Sequence, residues 1–251
     1  VAAINSGLID GCGSGANIHS AATIFRDGKP VPISTLNSEI KGTFYAGGIA
    51  GQNEGVIKNS HSNAQVTGQT AGGIAGVNSG SILNIYNTGN VSAMASAGGI
   101  AGANTGAGSI RYGYNSTSAS VSGGGTLGGI AGTSENSSIQ DMWYLSEMSG
   151  ACGNMEDSAF ASAGPKTEEE MRNPDFKDLL NGAVQGEKDA LGLRDWDINS
   201  GKNGGLPTLE YQVIEQQTLS ASKFGIHITV TGQIHPGTKL SFIRSMRTIR
   251  L

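Results

Sequence analysis

The sequence predicts a mainly β protein: a right-handed parallel β-helix (β-solenoid) of about five coils, with a small α/irregular C-terminal cap and a terminal β-hairpin. Three observations predict it. The pentapeptide Gly-Gly-Ile-Ala-Gly occurs four times, beginning at Gly47, Gly72, Gly98 and Gly128. Apolar residues come in short bursts instead of the 3.6-residue period of a helix. Charge is thinned along the repeats. From Gly42 to Leu145 the charged residues are Glu54, Lys58, Arg111, Glu135 and Asp141, although the whole chain of 251 residues carries 16 Lys or Arg and 20 Asp or Glu. Like charges in register on stacked coils would repel one another, so the outer faces are expected to be Ser, Thr, Asn and Gly.

The repeat defines the elements in order. Its units hold Gly47, Gly48, Ile49 and Gly51; then Gly72, Gly73, Ile74 and Gly76; then Gly98, Gly99, Ile100 and Gly102; then Gly128, Gly129, Ile130 and Gly132. Asn-x-Gly follows the first three at Asn53, Asn78 and Asn104, with Gly55, Gly80 and Gly106 as the partner glycines. An Ile comes next (Ile57, Ile82, Ile110, Ile139), and four residues later a ring: His61, Tyr86, Tyr114 and Trp143. A Val closes three of the units, at Val66, Val91 and Val121, and a partial copy opens the chain at Asn5-Ser6-Gly7-Leu8-Ile9. Each unit is too short to bury a core alone, so stacking is required. We expect three short strands per coil, near Ile49, Ile57 and Val66. Gly is expected to supply positive φ and close approach between coils. Asn53, Asn78 and Asn104 are expected at one turn position, able to form an amide ladder. The Ile49 file is expected to point inward.

The run from Gly47 to Ser60 resembles the GLUG motif, and the resemblance extends over about residues 42–145. That motif is a short repeat of bacterial secreted and surface proteins, among them adhesin-like proteins and some immunoglobulin-A-cleaving metalloproteases. The resemblance implies a β-solenoid in an extracellular multidomain protein, and it implies no activity.

Beyond the solenoid, assigned to 1–145, residues 146–214 are expected to form a cap. Thr167 and Glu170 make a capping box, Asn173-Pro174 starts a second helix, and Asn181-Gly182 stops it. These helices are expected to cover the open strand edges at the end of the solenoid. The stretch from Trp196 to Leu209 resembles the segment that closes GLUG arrays. In 215–251, Ile226 to Val230 and Leu240 to Phe242 are expected to pair as a hairpin around Pro236-Gly237, as a truncated further β module. Arg244, Arg247 and Arg250 lack aromatic interleaving, so no nucleic-acid partner is expected. No stretch is apolar enough for membrane insertion. The chain opens on Val1 with no leader and reads as a piece of a longer one, with flanking domains as partners.

No catalytic cluster emerges. Polysaccharide-cleaving sites need converging carboxylates, and the repeats hold Glu54, Glu135 and Asp141 in dispersed positions. His19, His61, His227 and His235 form no His-Glu-x-x-His, and no glycine-rich loop leads into Lys-Ser or Lys-Thr. Asp195, Asp197 and Asn199 place hard oxygens at alternating positions, a weak calcium candidate. Thr208 stands where an EF-hand needs Glu, so a polar cap loop is the preferred reading and no cofactor is expected. Cys12 and Cys152 are expected as small buried thiols, too far apart for a disulfide. The expectation is a non-catalytic structural or adhesive segment that binds glycan or surface protein. The alternatives are an accessory region of an extracellular protease and, last, a polysaccharide-active enzyme.

Overall fold

In the computed structural model the described residues are 2–14, 18–19, 23–26, 29–32, 45–116, 121–148, 150–155, 160, 162–198, 203–210, 219–221 and 226–228. The chain forms two compact units, Val1–Glu210 and Tyr211–Leu251.

The first unit opens with short strands β1 (Ala2–Asn5), β2 (Leu8–Asp10), β3 (Gly13–Ser14) and β4 (Ile18–His19), then the antiparallel pair β5 (Thr23–Arg26) and β6 (Lys29–Pro32). The repeats follow. The first holds β7 (Tyr45–Gly47), β8 (Ala50–Asn53) and β9 (Val56–Ser62); the second β10 (Val66–Gly72), β11 (Ala75–Asn78) and β12 (Ser81–Asn87). The third holds β13 (Val91–Gly98), β14 (Ala101–Thr105) and β15 (Ser109–Asn115). The fourth holds β16 (Val121–Gly123), β17 (Thr126–Gly128), β18 (Ala131–Glu135) and β19 (Ser138–Leu145). After β20 (Gly164–Lys166) come α1 (Glu168–Arg172), α2 (Pro174–Val184) and α3 (Lys188–Leu191), then β21 (Trp196–Asp197) and β22 (Thr208–Leu209).

Equivalent strands of successive repeats pair in parallel and build three faces. Face A runs β1-β8-β11-β14-β18, face B runs β2-β9-β12-β15-β19-β20, and face C runs β4-β10-β13-β16, joined by β7 and β17. The result is mainly β, a parallel β-solenoid of about three turns with few helices.

Three inward files fill the interior. Ile49, Ile74, Ile100 and Ile130 are fully buried in one core cluster, as the repeat requires. They sit at the corner before face A, not inside a strand. There Ile49 N–H donates to Ile74 C=O, Ile74 to Ile100 and Ile100 to Ile130, each at 2.9 Å. Ile9, Ile57, Ile82, Ile110 and Ile139 align on face B, and Val66, Val91 and Val121 align on face C.

Asn5, Asn53, Asn78 and Asn104 share one register on face A. Each Nδ2 donates to the next Oδ1, at 2.8, 2.7 and 2.8 Å. Ser134 takes the register above Asn104, and Asn154 closes the column by accepting from Ser134 N–H at 2.8 Å. The third turn departs from the expected spacing. Ser109 N–H donates to Gly80 C=O as Ser81 N–H does to Gly55 C=O, so Gly108, not Gly106, occupies the partner position. Gly106 belongs to a local insertion and takes φ +59°.

The role expected of the pentapeptide glycines is corrected in part. None of them has positive φ; close approach alone demands Gly. A Cβ on Gly47, Gly72, Gly98 or Gly128 would lie 1.9–2.0 Å from the carbonyl oxygen of the Ala three residues later. A Cβ on Gly73 or Gly99 would strike the buried amide of Asn87 or Asn115. Positive φ falls instead on a column in mid-face B, at Asn59 (50°), Asn84 (53°), Tyr112 (63°) and Asp141 (50°).

The placement of the helices is also corrected. The strand edges at the C-terminal end are met by extended chain: Ile130 N–H donates to Ala151 C=O at 2.8 Å, Cys152 bridges Ala131, and β20 pairs with β19. The helices pack on face B, along the side of the solenoid. There Phe176 of α2 meets Tyr114 and Trp143, and Val184 and Leu193 pack with Leu83 and Tyr112. The reason lies in those rings and Leu83, which leave face B apolar and in need of cover. The predicted N-terminal caps form as read: Thr167 Oγ1 accepts from Glu170 N–H, Glu170 accepts from Thr167 N–H, and Asn173 caps α2 with Pro174 first. The stop expected at Asn181-Gly182 does not hold: α2 runs through both to Val184, whose side chain packs on face B.

The second unit contains β23 (Leu219–Ala221) and β24 (Ile226–Ile228), paired antiparallel. The strand at Ile226 thus pairs with upstream chain; Leu240 to Phe242 and Arg244, Arg247 and Arg250 lie outside the described residues.

Asn78→Asp puts a carboxylate against the Asn104 amide oxygen in a dry column, with an expected loss of about 3–5 kcal/mol by urea unfolding; Asn78→Ala should lose about 1–3 kcal/mol. Gly98→Ala should cost about 3 kcal/mol or more, because the obstacle is backbone and cannot swing away. An unchanged urea midpoint for either position would show that the columns do not hold the turns.

Candidate functional site

The three faces differ in what they leave open. Face B carries the rings. Tyr86 pairs in register with His61 and Tyr114, and Tyr114 with Trp143, as the spacing predicts. His61 stacks on Tyr86 with centroids 4.8 Å apart and planes 8° apart, and Tyr86 on Tyr114 at 5.4 Å and 8°. Aromatic files on a sheet can serve as stacking platforms for sugars, but this one is covered. Trp196 lies across Tyr86 and Tyr114, and Tyr86, Tyr114 and Trp143 are buried. The Tyr114 hydroxyl donates to Pro207 C=O and accepts from Asn203 Nδ2. Burial first, then the neighbouring Tyr86, holds that hydroxyl well above its ordinary pKa, so it stays a neutral donor. Burial also pushes Tyr112 up, helped by its hydrogen bond to Glu187.

Faces A and C carry no such cover among the described residues. The outward file of face A is Ile4, Gln52, Val77, Ala103 and Thr133, in register at neighbouring coils. Ile4 is 60% exposed. On face C, Thr67, Ser92 and Ser122 align, and Met94 stands 75% exposed beside them. Within the strands of both faces the sole Lys, Arg, Asp or Glu is Glu135. These are two ranks of small, uncharged side chains repeating at the strand spacing of about 4.8 Å.

The acids of the repeats do not converge. Glu54 accepts from Ser6 Oγ at 3.2 Å and Gln52 Nε2 at 2.7 Å at the first repeat. Glu135 lies in the fourth, three coils and about 14 Å further along the axis. Asp141 belongs to face B and accepts from Gln140 Nε2 at 3.0 Å. The calcium candidate is only partly described. Asp195 is engaged by the Lys188 ammonium, Asp197 is exposed in β21, and Asn199 lies outside the described residues. The hydrogen bond from Lys188 to Asp195 raises the lysine pKa. Among the described residues no three His, Cys, Asp or Glu side chains group to hold a metal ion. Cys152 is buried and Cys12 only half-buried, and the two are not joined by a disulfide. Among the described residues no helix is long and apolar enough to cross a membrane.

One set of functional contacts escaped the sequence reading. Asn59 and Asn84 hold the chain after α3 on face B. Asn59 Nδ2 donates to Gly192 C=O at 2.9 Å, Arg194 N–H donates to Asn59 Oδ1 at 3.0 Å, and Asn84 Nδ2 donates to Arg194 C=O at 3.0 Å. The signal was present: Asn at 59 and 84, two residues after Ile57 and Ile82.

The family model described as the GLUG motif matches residues 42–67, the first full repeat, so this chain carries the motif its sequence resembles. Among curated proteins and among solved structures, none matches the chain.

His61 gives this site a pH dependence. Burial lowers its pKa below the ordinary 6.5, so the folded state binds the proton less readily than the unfolded state. Its contribution is therefore whole above that value and declines as pH falls below it. The melting temperature should drop between pH 7.5 and 5, and His61→Phe should flatten that drop while keeping the stack. An identical pH profile in the variant would show that the imidazole titrates freely.

Proposed function

We propose that this chain is a non-catalytic structural or adhesive segment of a bacterial surface or secreted protein. It is a rigid rod that spaces neighbouring domains and offers its uncovered faces to glycan or protein. The observation that carries this reading is the unbroken amide ladder from Asn5 to Asn104 beneath two uncharged ranks of side chains. A column in which every coil bonds the next resists bending. Flat faces without charge suit a neutral ligand held by hydroxyl, amide and methyl contacts, and they offer no steering for nucleic acid. The dispersed acids favour binding over catalysis. In this reading the partial turn Ala2–Asp10 is a fifth coil, and the winding is right-handed, the hand nearly all parallel crossovers take. Extracellular placement follows from the company the GLUG motif keeps.

Binding of the purified chain to an array of neutral glycans and matrix proteins, with a calcium-free arm, tests the adhesive half of the proposal. A saturable, selective hit is expected, lost in Val77→Arg on face A or in Ser92→Arg on face C, and unaffected by Lys177→Ala on α2. A blank across the array removes the adhesive role and leaves the spacer.

A further inference from the structure

Stacked repeats touch only their neighbours, so a solenoid can in principle open one coil at a time from its ends. Here one segment crosses that rule. Its described residues, Glu187 to Ile198 and Asn203 to Pro207, lie on face B and bond to residues of several turns. At the first partial turn Asp10 lies 3.7 Å from Lys58 Nζ and 3.8 Å from Arg194 Nη2, and accepts from Asn59 Nδ2 at 2.8 Å. In the first repeat Lys58 Nζ donates to Leu191 C=O at 2.7 Å, and Asn59 holds Gly192 and Arg194. The second repeat supplies Asn84, bonded to Arg194 C=O. At the third, Arg111 pairs with Glu187 at 2.9 Å and Tyr112 donates to Glu187 at 2.9 Å, while Tyr114 is bound to Asn203 and Pro207. Helix α2, tied to this segment by two hydrogen bonds between Asn181 and Trp196, carries Phe176 to Trp143 of the fourth repeat.

We propose that this segment is a clasp: it ties non-neighbouring coils together, so that the solenoid opens as one unit instead of coil by coil. The bonds to Asn59 and Asn84 are made to backbone, so they fix the path of the clasp while the apolar contacts of Leu193 and Trp196 fix its depth. Its receptors are the mid-face column of positive φ, where Asn59, Asn84 and Tyr112 meet the clasp beside Lys58, Leu83 and Arg111. In a rod that spaces domains, such a clasp keeps the first turns from peeling under load. The clasp rests on the rod reading only for this use; a blank binding array leaves it standing, and a solenoid that peels coil by coil leaves ligand binding standing.

Native-state hydrogen exchange on the intact chain, at rising denaturant, tests it. Inter-coil amides of the first turns (Glu54, Val56) and of the last (Ser109, Ser138) are expected to share one opening reaction in the wild type. Asn59→Gly with Asn84→Gly removes both receptor amides yet keeps residues that tolerate positive φ. In that variant Glu54 and Val56 should exchange about tenfold faster or more relative to Ser109 and Ser138. A wild type that already opens turn by turn overturns the clasp, and so does a variant whose first turns stay as protected as its last. Should the double variant not fold, Asp10→Asn leaves the receptor amides in place and carries the same readout, with an expected split of about threefold.

Discussion

The spacing of about 4.8 Å between hydrogen-bonded parallel strands is the constraint on which the rest of the molecule depends. It brings each residue directly over its equivalent in the next coil. Whatever occupies a position must therefore be compatible with a copy of itself, above and below. Isoleucine satisfies this by packing in files. Asparagine satisfies it because its amide donates in one direction along the axis and accepts from the other. Charge does not satisfy it, which is why faces A and C are nearly bare of it. The glycines of the pentapeptide answer the same constraint: the backbone of each coil lies so near its own corner that no Cβ fits.

Face B breaks the pattern and so acquires a partner. Its rings and Leu83 are large and apolar, and water would meet them as one patch. The helices and the segment after them exist on this surface for that reason. The cover has a functional consequence. The aromatic file is used internally, and among the described residues the strands left without such cover carry mostly small, uncharged side chains.

Much of this was legible in the residues. The Asn53, Asn78 and Asn104 register, the Ile49 file, the ring file and the caps at Thr167 and Asn173 all follow from spacing and local chemistry. The glycine at 106 misled, because a two-residue insertion moves the turn position to Gly108. The full mid-face column was missed, because Asn59 and Asn84 share a side-chain type but Tyr112 and Asp141 share with them only the backbone conformation. The pairing of the strand at Ile226 with Leu219 was not legible, because no turn signal comparable to Pro236-Gly237 stands between them.

The sequence by itself determined the repeat, its period, the inward files and the ladder, since each depends on residues a fixed distance apart meeting their own equivalents. Tertiary structure alone decided where the helices go and which face they cover. Those outcomes depend on contacts between chain segments more than a hundred residues apart, such as Asn59 with Gly192 and Asn84 with Arg194. Nothing in local spacing encodes which apolar face a helix will choose; the area each face offers, once folded, settles it.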